Sequence, residues 1–287
     1  MKLSFKSFLA FIAAGSALLL YAGCEQTNTA EEYRKVPVVN GTLFAGRNID
    51  TLKLNWTGEV DKFYDQSALA IPGASVIIRG IDTPFYDSLL YDPANPGRYY
   101  SSDPLRLIQP AKSYSLTIAI PGWNELVSAT TTVPDTFRIT SCTINDGDTL
   151  KYDLYAPVNK FTWSASRFQA TYLPTISYLD PNCAMIPKSY YQDTSSSDFQ
   201  RPPIVDYRVG LPSDQTNTDL PWVFLSYYGN VRFDVYAVDF NYSDFINQII
   251  PAQGGELKEI RYNVSGGIGV FGSKTRAGGS IHVILVP

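Results

Sequence analysis

Ser113-Tyr114-Ser115-Leu116-Thr117-Ile118-Ala119-Ile120 alternates with period two and stops at Pro121-Gly122. Successive side chains of an extended strand point to opposite faces, so Tyr114, Leu116, Ile118 and Ile120 share one face. The pattern predicts a strand with one face buried and the other wet. Outward from it, β-rich runs at residues 36–44, 51–56, 74–79, 85–91, 98–101 and 126–133 are separated by Gly, Pro, Asn and Asp. Seven strands in about 100 residues fit an immunoglobulin-like or transthyretin-like sandwich. Its expected limits are residues 36–135.

A second series begins at residues 137–144, turns at Asn145-Asp146-Gly147-Asp148, and continues at 149–155, 161–164 and 168–178. It predicts a second antiparallel β domain over residues 136–287, making the whole chain all-β. From 181 to 221 the apolar pattern lapses into Pro, Ser, Asp and Gln; loops beyond about 15 residues are usually functional or disordered. Strand patterning returns at 222–228 and 231–238, joined by Gly229-Asn230, a two-residue hairpin signal. Residues 244–250 read as one short helix, and 256–264 and 280–286 as closing strands around a glycine-rich segment.

Composition narrows the setting. The 287 residues include 20 Tyr, 15 Phe and 19 Pro but one His and two Met, which suits an extracytoplasmic β protein. Lys and Arg total 23 against 27 Asp and Glu, a net charge of −4, so there is no electrostatic footprint for nucleic acid. Lys2 and Lys6 precede an apolar run at residues 8–21 that is short for a membrane span. With Ala22, Gly23 and Cys24 it reads as a secretory signal over residues 1–23. Small residues before a cysteine resemble the bacterial lipobox, in which the Cys24 thiol takes the lipid, although Tyr21 stands where Leu is usual. Residues 24–35 are then a flexible tether to the outer membrane. Glu25, Glu31 and Glu32 favour the outer surface. Cys142 and Cys183 remain as an even pair, either bridged across a loop of about 40 residues or two free thiols.

Candidate chemistry is sparse. Gly267-Ile268-Gly269-Val270-Phe271-Gly272 has the letters of the dinucleotide fingerprint, but neither a following helix nor a ribose-binding acid fits in the 15 residues that remain. A strand crossing closely packed neighbours, or a bulged turn, explains those glycines better. His282 shares a strand face with Ser280 and Ile284; without a nucleophile elbow it reads as a rim residue. Asn145-Asp146-Gly147-Asp148 lacks the later acidic ligand of a calcium loop and reads as a hairpin turn. Carboxylate pairs such as Asp234 with Asp239, or Asp61 with Asp65, carry no information without distances. Trp163, Trp222, Tyr227 and Tyr236 sit in alternating strands and are expected in the core. Tyr190, Tyr191, Phe199 and Tyr207 lie in the polar excursion, where they are candidates for binding a glycan or peptide, or simply anchors for the loop. No metal site or cofactor is expected.

Several short motifs together carry a resemblance. Cys24, Val38-Val39-Asn40-Gly41-Thr42-Leu43, Gly73-Ala74-Ser75-Val76-Ile77-Ile78, Gly97-Arg98-Tyr99-Tyr100, Tyr114-Ser115-Leu116-Thr117-Ile118, Ala129-Thr130-Thr131-Thr132-Val133-Pro134 and Tyr262-Asn263-Val264-Ser265-Gly266-Gly267-Ile268-Gly269-Val270-Phe271-Gly272 occur in that order. The chain thereby resembles a family of uncharacterised Bacteroidota outer-membrane lipoproteins whose domain is of unknown function. Such proteins are often encoded beside TonB-dependent receptors, which implies an accessory role in nutrient uptake. The family supplies no catalytic residues to carry over. The sequence therefore points to a non-enzymatic, lipid-anchored binding or accessory protein. A structural or adhesive surface protein is the alternative, and a hydrolase comes third.

Overall fold

β6 (Ser113–Ala119) carries Tyr114, Leu116 and Ile118 fully buried on one face. It lies antiparallel between β3 (Ser75–Gly80) and β7 (Val127–Thr132), with Val76 opposite Ile118 and Leu116 opposite Ala129. This computed structural model describes residues 33–59, 62–180, 184–186, 207–208, 213–253 and 260–287. β1 (Pro37–Phe44), β2 (Leu52–Trp56), β4 (Tyr86–Tyr91) and β5 (Arg98–Tyr100) complete a sandwich paired in the order β1-β2-β5-β4-β3-β6-β7. Inward residues from these strands, among them Val39, Leu52, Leu54, Val76, Leu116 and Val127, pool into one core. Each aliphatic side chain so buried contributes roughly 1.5–3 kcal/mol. The buried Tyr99 hydroxyl donates to the Ile71 carbonyl at 2.7 Å and accepts the Ala74 N–H at 3.0 Å, so no polar group is stranded there.

The chain changes core between Val133, in the first, and Phe137, in a second built around Phe161, Trp163, Tyr172, Ile176, Trp222 and Phe233. β8 (Ile139–Cys142), β10 (Asn159–Trp163) and β13 (Asn217–Leu220) form a small sheet. β9 (Thr149–Lys151), β11 (Thr171–Tyr178), β12 (Tyr207–Arg208), β14 (Gly229–Val238), β15 (Ile268–Arg276) and β16 (Ile281–Val286) extend the large one. β11 is buried at every position. Residues Lys35–Pro287 nevertheless form one compact unit. β15 lies between β14 and β1, parallel to β1 from Val38 opposite Ile268 to Phe44 opposite Lys274, and Val264 and Phe271 complete the first core.

Among the described residues the α-helices are α1 (Gln66–Leu69), capped by the Asp65 side chain, and α2 (Phe240–Gln253), which is longer than the helix expected at 244–250.

The structure departs from the sequence expectations in several places, each with a local cause. Residues 222–228 are not a strand: Trp222–Phe224 is a 3₁₀ turn, because the buried residues Trp222 and Leu225 recur at helical rather than alternating spacing while Val223 and Phe224 are exposed. Gly229 and Asn230 consequently open β14 instead of making a hairpin. Asn145-Asp146-Gly147-Asp148 turns the chain between sheets, since β8 pairs with β10 and β9 runs parallel to β16. The excursion at 181–221 is partly structured: β13 pairs with β10, Met185 bridges to Tyr227, and Ile186 and Leu220 are buried. In the expected strand 256–264, residues 260–264 are not strand; β15 takes that role.

Gly267 and Gly269 of the fingerprint-like run let the backbone approach β1 at Pro37 and Val39. Gly269 has φ +113°, and a Cβ there would stand 1.9 Å from the Val39 carbonyl oxygen. At Gly73, with φ +73°, a Cβ would meet nothing within 4 Å. Gly269→Ala is therefore expected to destabilise by about 3 kcal/mol or more, and Gly73→Ala by only about 1 kcal/mol. Urea denaturation midpoints check this; equal losses would show that the close approach of β1 and β15 is not what requires Gly269.

Candidate functional site

Where β14 ends, Asp239 caps α2: its Oδ1 accepts the Tyr242 N–H at 3.0 Å and the Ser273 N–H at 3.1 Å. Gly272 leaves room for this, since a Cβ there would stand 2.8 Å from Tyr242 Cβ and 3.0 Å from Asp239 Oδ1. Asp239 Oδ2 lies 2.5 Å from Thr131 Oγ1 on β7, which lies 2.8 Å from Ser273 Oγ on β15. Ser273 Oγ in turn donates to the Thr132 carbonyl at 3.1 Å. Burial, the largest influence, raises the Asp239 pKa, against the opposing hydrogen bond from Thr131.

This network floors a cleft of about 540 Å³ lined by Asp82, Ala111, Ser113, Thr130, Thr131, Thr132, Phe168, Asp239, Phe240 and Asn241. Asn241 donates through Nδ2 to the Thr130 carbonyl at 2.8 Å, and Asp82 Oδ1 accepts the Ser113 N–H at 2.8 Å. Phe168 and Phe240 remain 47% and 70% exposed. Phe168 has φ 64° and Ala111 φ 55°; they are the two non-glycine residues with positive φ among those described. A left-handed conformation costs such residues roughly 1–2 kcal/mol each. The surroundings hold both: Ala111 N–H donates to the Val133 carbonyl, and Arg167, bonded to Asp135 through Nε at 2.8 Å, lies 5.6 Å from the Phe168 ring centroid. Strain persists where the fold over-determines it, and it concentrates at functional sites. A second hollow of about 300 Å³ adjoins, sharing Phe240 and Asn241 and adding Asp244, Phe245, Arg261, Tyr262, Asn263 and Gly269.

The residues singled out from sequence lie elsewhere or in other roles. Cys24, Asp61, Cys183, Tyr190, Tyr191 and Phe199 lie outside the described residues. Tyr207 belongs to β12, its backbone opposite Ile176. Cys142, expected as a possible bridge partner, is a free thiol with a pKa raised by burial, and its Sγ accepts the Ile144 N–H. Trp163, Trp222 and Tyr236 are buried and Tyr227 is half-buried. His282 is exposed; its backbone N–H donates to Asp146 Oδ1 at 2.7 Å, and this bond holds the Asp146 carboxyl below its usual pKa. Asp234 and Asp239 serve separate networks, Asp234 receiving Arg232 Nε and Ser280 Oγ. Asp65 is spent on capping α1. Phe168 and Phe240 were not legible as site residues, because a lone Phe in a strand-like run carries no sign that it will stay exposed.

The model of a family described as Domain of unknown function (DUF4249) matches residues 26–278. A search of curated proteins returns no match. Among solved structures, the crystal structure of chicken CNTN1 FN1-FN3 domains is 13% identical, with 88% of this chain and 67% of that one covered, at a TM-score of 0.29 that does not establish a shared fold.

Two outcomes follow from the site. The folded-state pKa of Asp239 lies above its ordinary 3.8, so the folded protein holds this proton more tightly than the unfolded chain. Its contribution to stability is greatest below pH 3.8 and falls as pH rises toward the folded-state value. Asp239→Asn should remove that part of the slope in urea denaturation across the acid range; an unchanged slope would assign it to other groups. Ala111→Gly should stabilise by about 1 kcal/mol, by relieving positive-φ strain; a loss of stability in thermal melts would count against strain there.

Proposed function

This chain belongs to the family described as Domain of unknown function (DUF4249), and we propose that it is a non-catalytic, lipid-anchored binding protein that holds a small ligand in the cleft above Asp239. The observation that carries this reading is the meeting of both strained backbone positions, Ala111 and Phe168, with two exposed phenylalanines around one polar-floored cleft. Neither strain nor exposed aromatic surface helps the chain fold, and together they suit a site prepared for a partner. Pockets of about 300–1,000 Å³ suit small-molecule ligands, and both hollows fall in that range.

Cys24, behind a short apolar run, supports attachment to the outer membrane, with residues 24–35 as the tether. The resemblance to lipoproteins encoded beside TonB-dependent receptors supports a role in presenting the ligand to such a receptor.

Protein-observed NMR with a library of small polar fragments tests the cleft. Shifts are expected to cluster on Ala111, Phe168, Phe240 and Asn241 and to vanish in Phe168→Ala; shifts distributed over other surfaces would overturn the reading. Mild-detergent purification from native membranes tests the setting. The intact protein is expected to bring a TonB-dependent receptor with it, and Cys24→Ala to leave the membrane fraction. Recovery of the lipoprotein alone would favour an independent surface binder or adhesin.

A further inference from the structure

We propose that the ligand is a neutral oligosaccharide that straddles Phe240, with one sugar ring in each of the two adjoining hollows. The inference rests on the cleft being the ligand site and deepens that reading. Phe240 and Asn241 line both hollows, so the 70% exposed Phe240 ring borders each of them. A ligand that covers this ring must extend to both sides of it. The apolar face of a sugar ring stacks on an aromatic ring, and its hydroxyls both donate and accept hydrogen bonds, matching the side-chain hydroxyls, carboxylates and amides beside the two phenylalanines.

Charge selects a neutral chain. The first hollow contains the carboxyl group of Asp82, besides the buried Asp239, and no Lys or Arg among its lining residues. In the second, Arg261 is already paired with Asp244 at 2.9 Å. An anionic ligand therefore meets carboxyl groups in both hollows, while the ammonium of Lys112 is engaged by the Asp82 carbonyl at 3.4 Å. A peptide added as an extra strand is disfavoured as well. Ser128, Thr130 and Thr132 of β7 have their carbonyls occupied, by Ser265 N–H, by the amides of Asn241 and Asn263, and by Ser273 Oγ. Strand addition requires such groups to be open.

Isothermal titration of the mature protein with neutral gluco-, manno-, xylo- and galacto-oligosaccharides, from single sugars to hexamers, tests the proposal, with oligogalacturonate as the anionic comparison. For the recognised sugar, affinity is expected to rise about tenfold from one ring to two. Phe240→Ala should weaken binding at every length, and Tyr262→Ala should bring longer chains down to the affinity of the single sugar. Circular dichroism confirms that each variant is folded. Equal affinity for single sugars and longer chains would overturn the two-ring ligand, and oligogalacturonate binding as tightly as the neutral chains would overturn its neutrality. If no sugar binds while polar fragments still seat at Phe168 and Phe240, the glycan class is wrong and the cleft reading stands. If neither binds, both fail.

Discussion

The parallel pairing of β1 with β15 is the constraint on which the rest of the molecule depends. It aligns seven residue pairs, from Val38–Ile268 to Phe44–Lys274, across almost the whole length of the described chain. Parallel neighbours require a long crossover, and here the crossover carries most of the residues of both hydrophobic cores. Once β15 lies beside β1, Phe271 enters the first core and Ser273 comes within reach of Thr131. The sandwich paired from β1 through β7 is thereby closed back onto β15 by side chains. Contacts of such sequence separation are slow to form, because the loop-closure entropy is met before the contacts return any energy.

The same junction makes the cleft. Asp239 caps α2, accepts from the Ser273 backbone and reaches Thr131, so one buried carboxyl joins a helix, β15 and β7. A buried network of this kind stabilises only when every member is satisfied, and Asp239, Thr131 and Ser273 each have hydrogen-bond partners here. The rim is different: Ala111 and Phe168 are held in conformations that their side chains disfavour, and Phe168 and Phe240 face water. On the proposed reading, the hydrogen-bonded polar floor and strained aromatic rim pre-organise the surface, which would lower the ordering cost of binding.

Much of the strand content was legible. β1 to β7 match the runs at residues 36–133 to within about one residue at their outer ends because half-buried strands write period two into the chain. Reading failed where a short apolar run had another cause. Trp222 and Leu225 meet the core through a 3₁₀ turn, whereas Gly269 and Gly272 lie in an interior strand against closely packed neighbours, as their spacing had suggested. The aromatic residues of the polar excursion drew attention because they interrupt a polar stretch, whereas Phe168 and Phe240 adjoin strand-like sequence and drew none. Ala111 offered no signal either, since positive φ is legible only where glycine or asparagine marks it.

By itself the sequence determined the all-β class, the paired faces of the first sandwich and the absence of a basic overall composition. These are properties of composition or of neighbours a few residues apart. The tertiary structure decided which distant strand lies beside β1, where the carboxyl of Asp239 is buried, and which phenylalanines stay exposed. Those depend on register and packing between residues more than a hundred positions apart, such as Thr131 with Ser273, and no local periodicity encodes them.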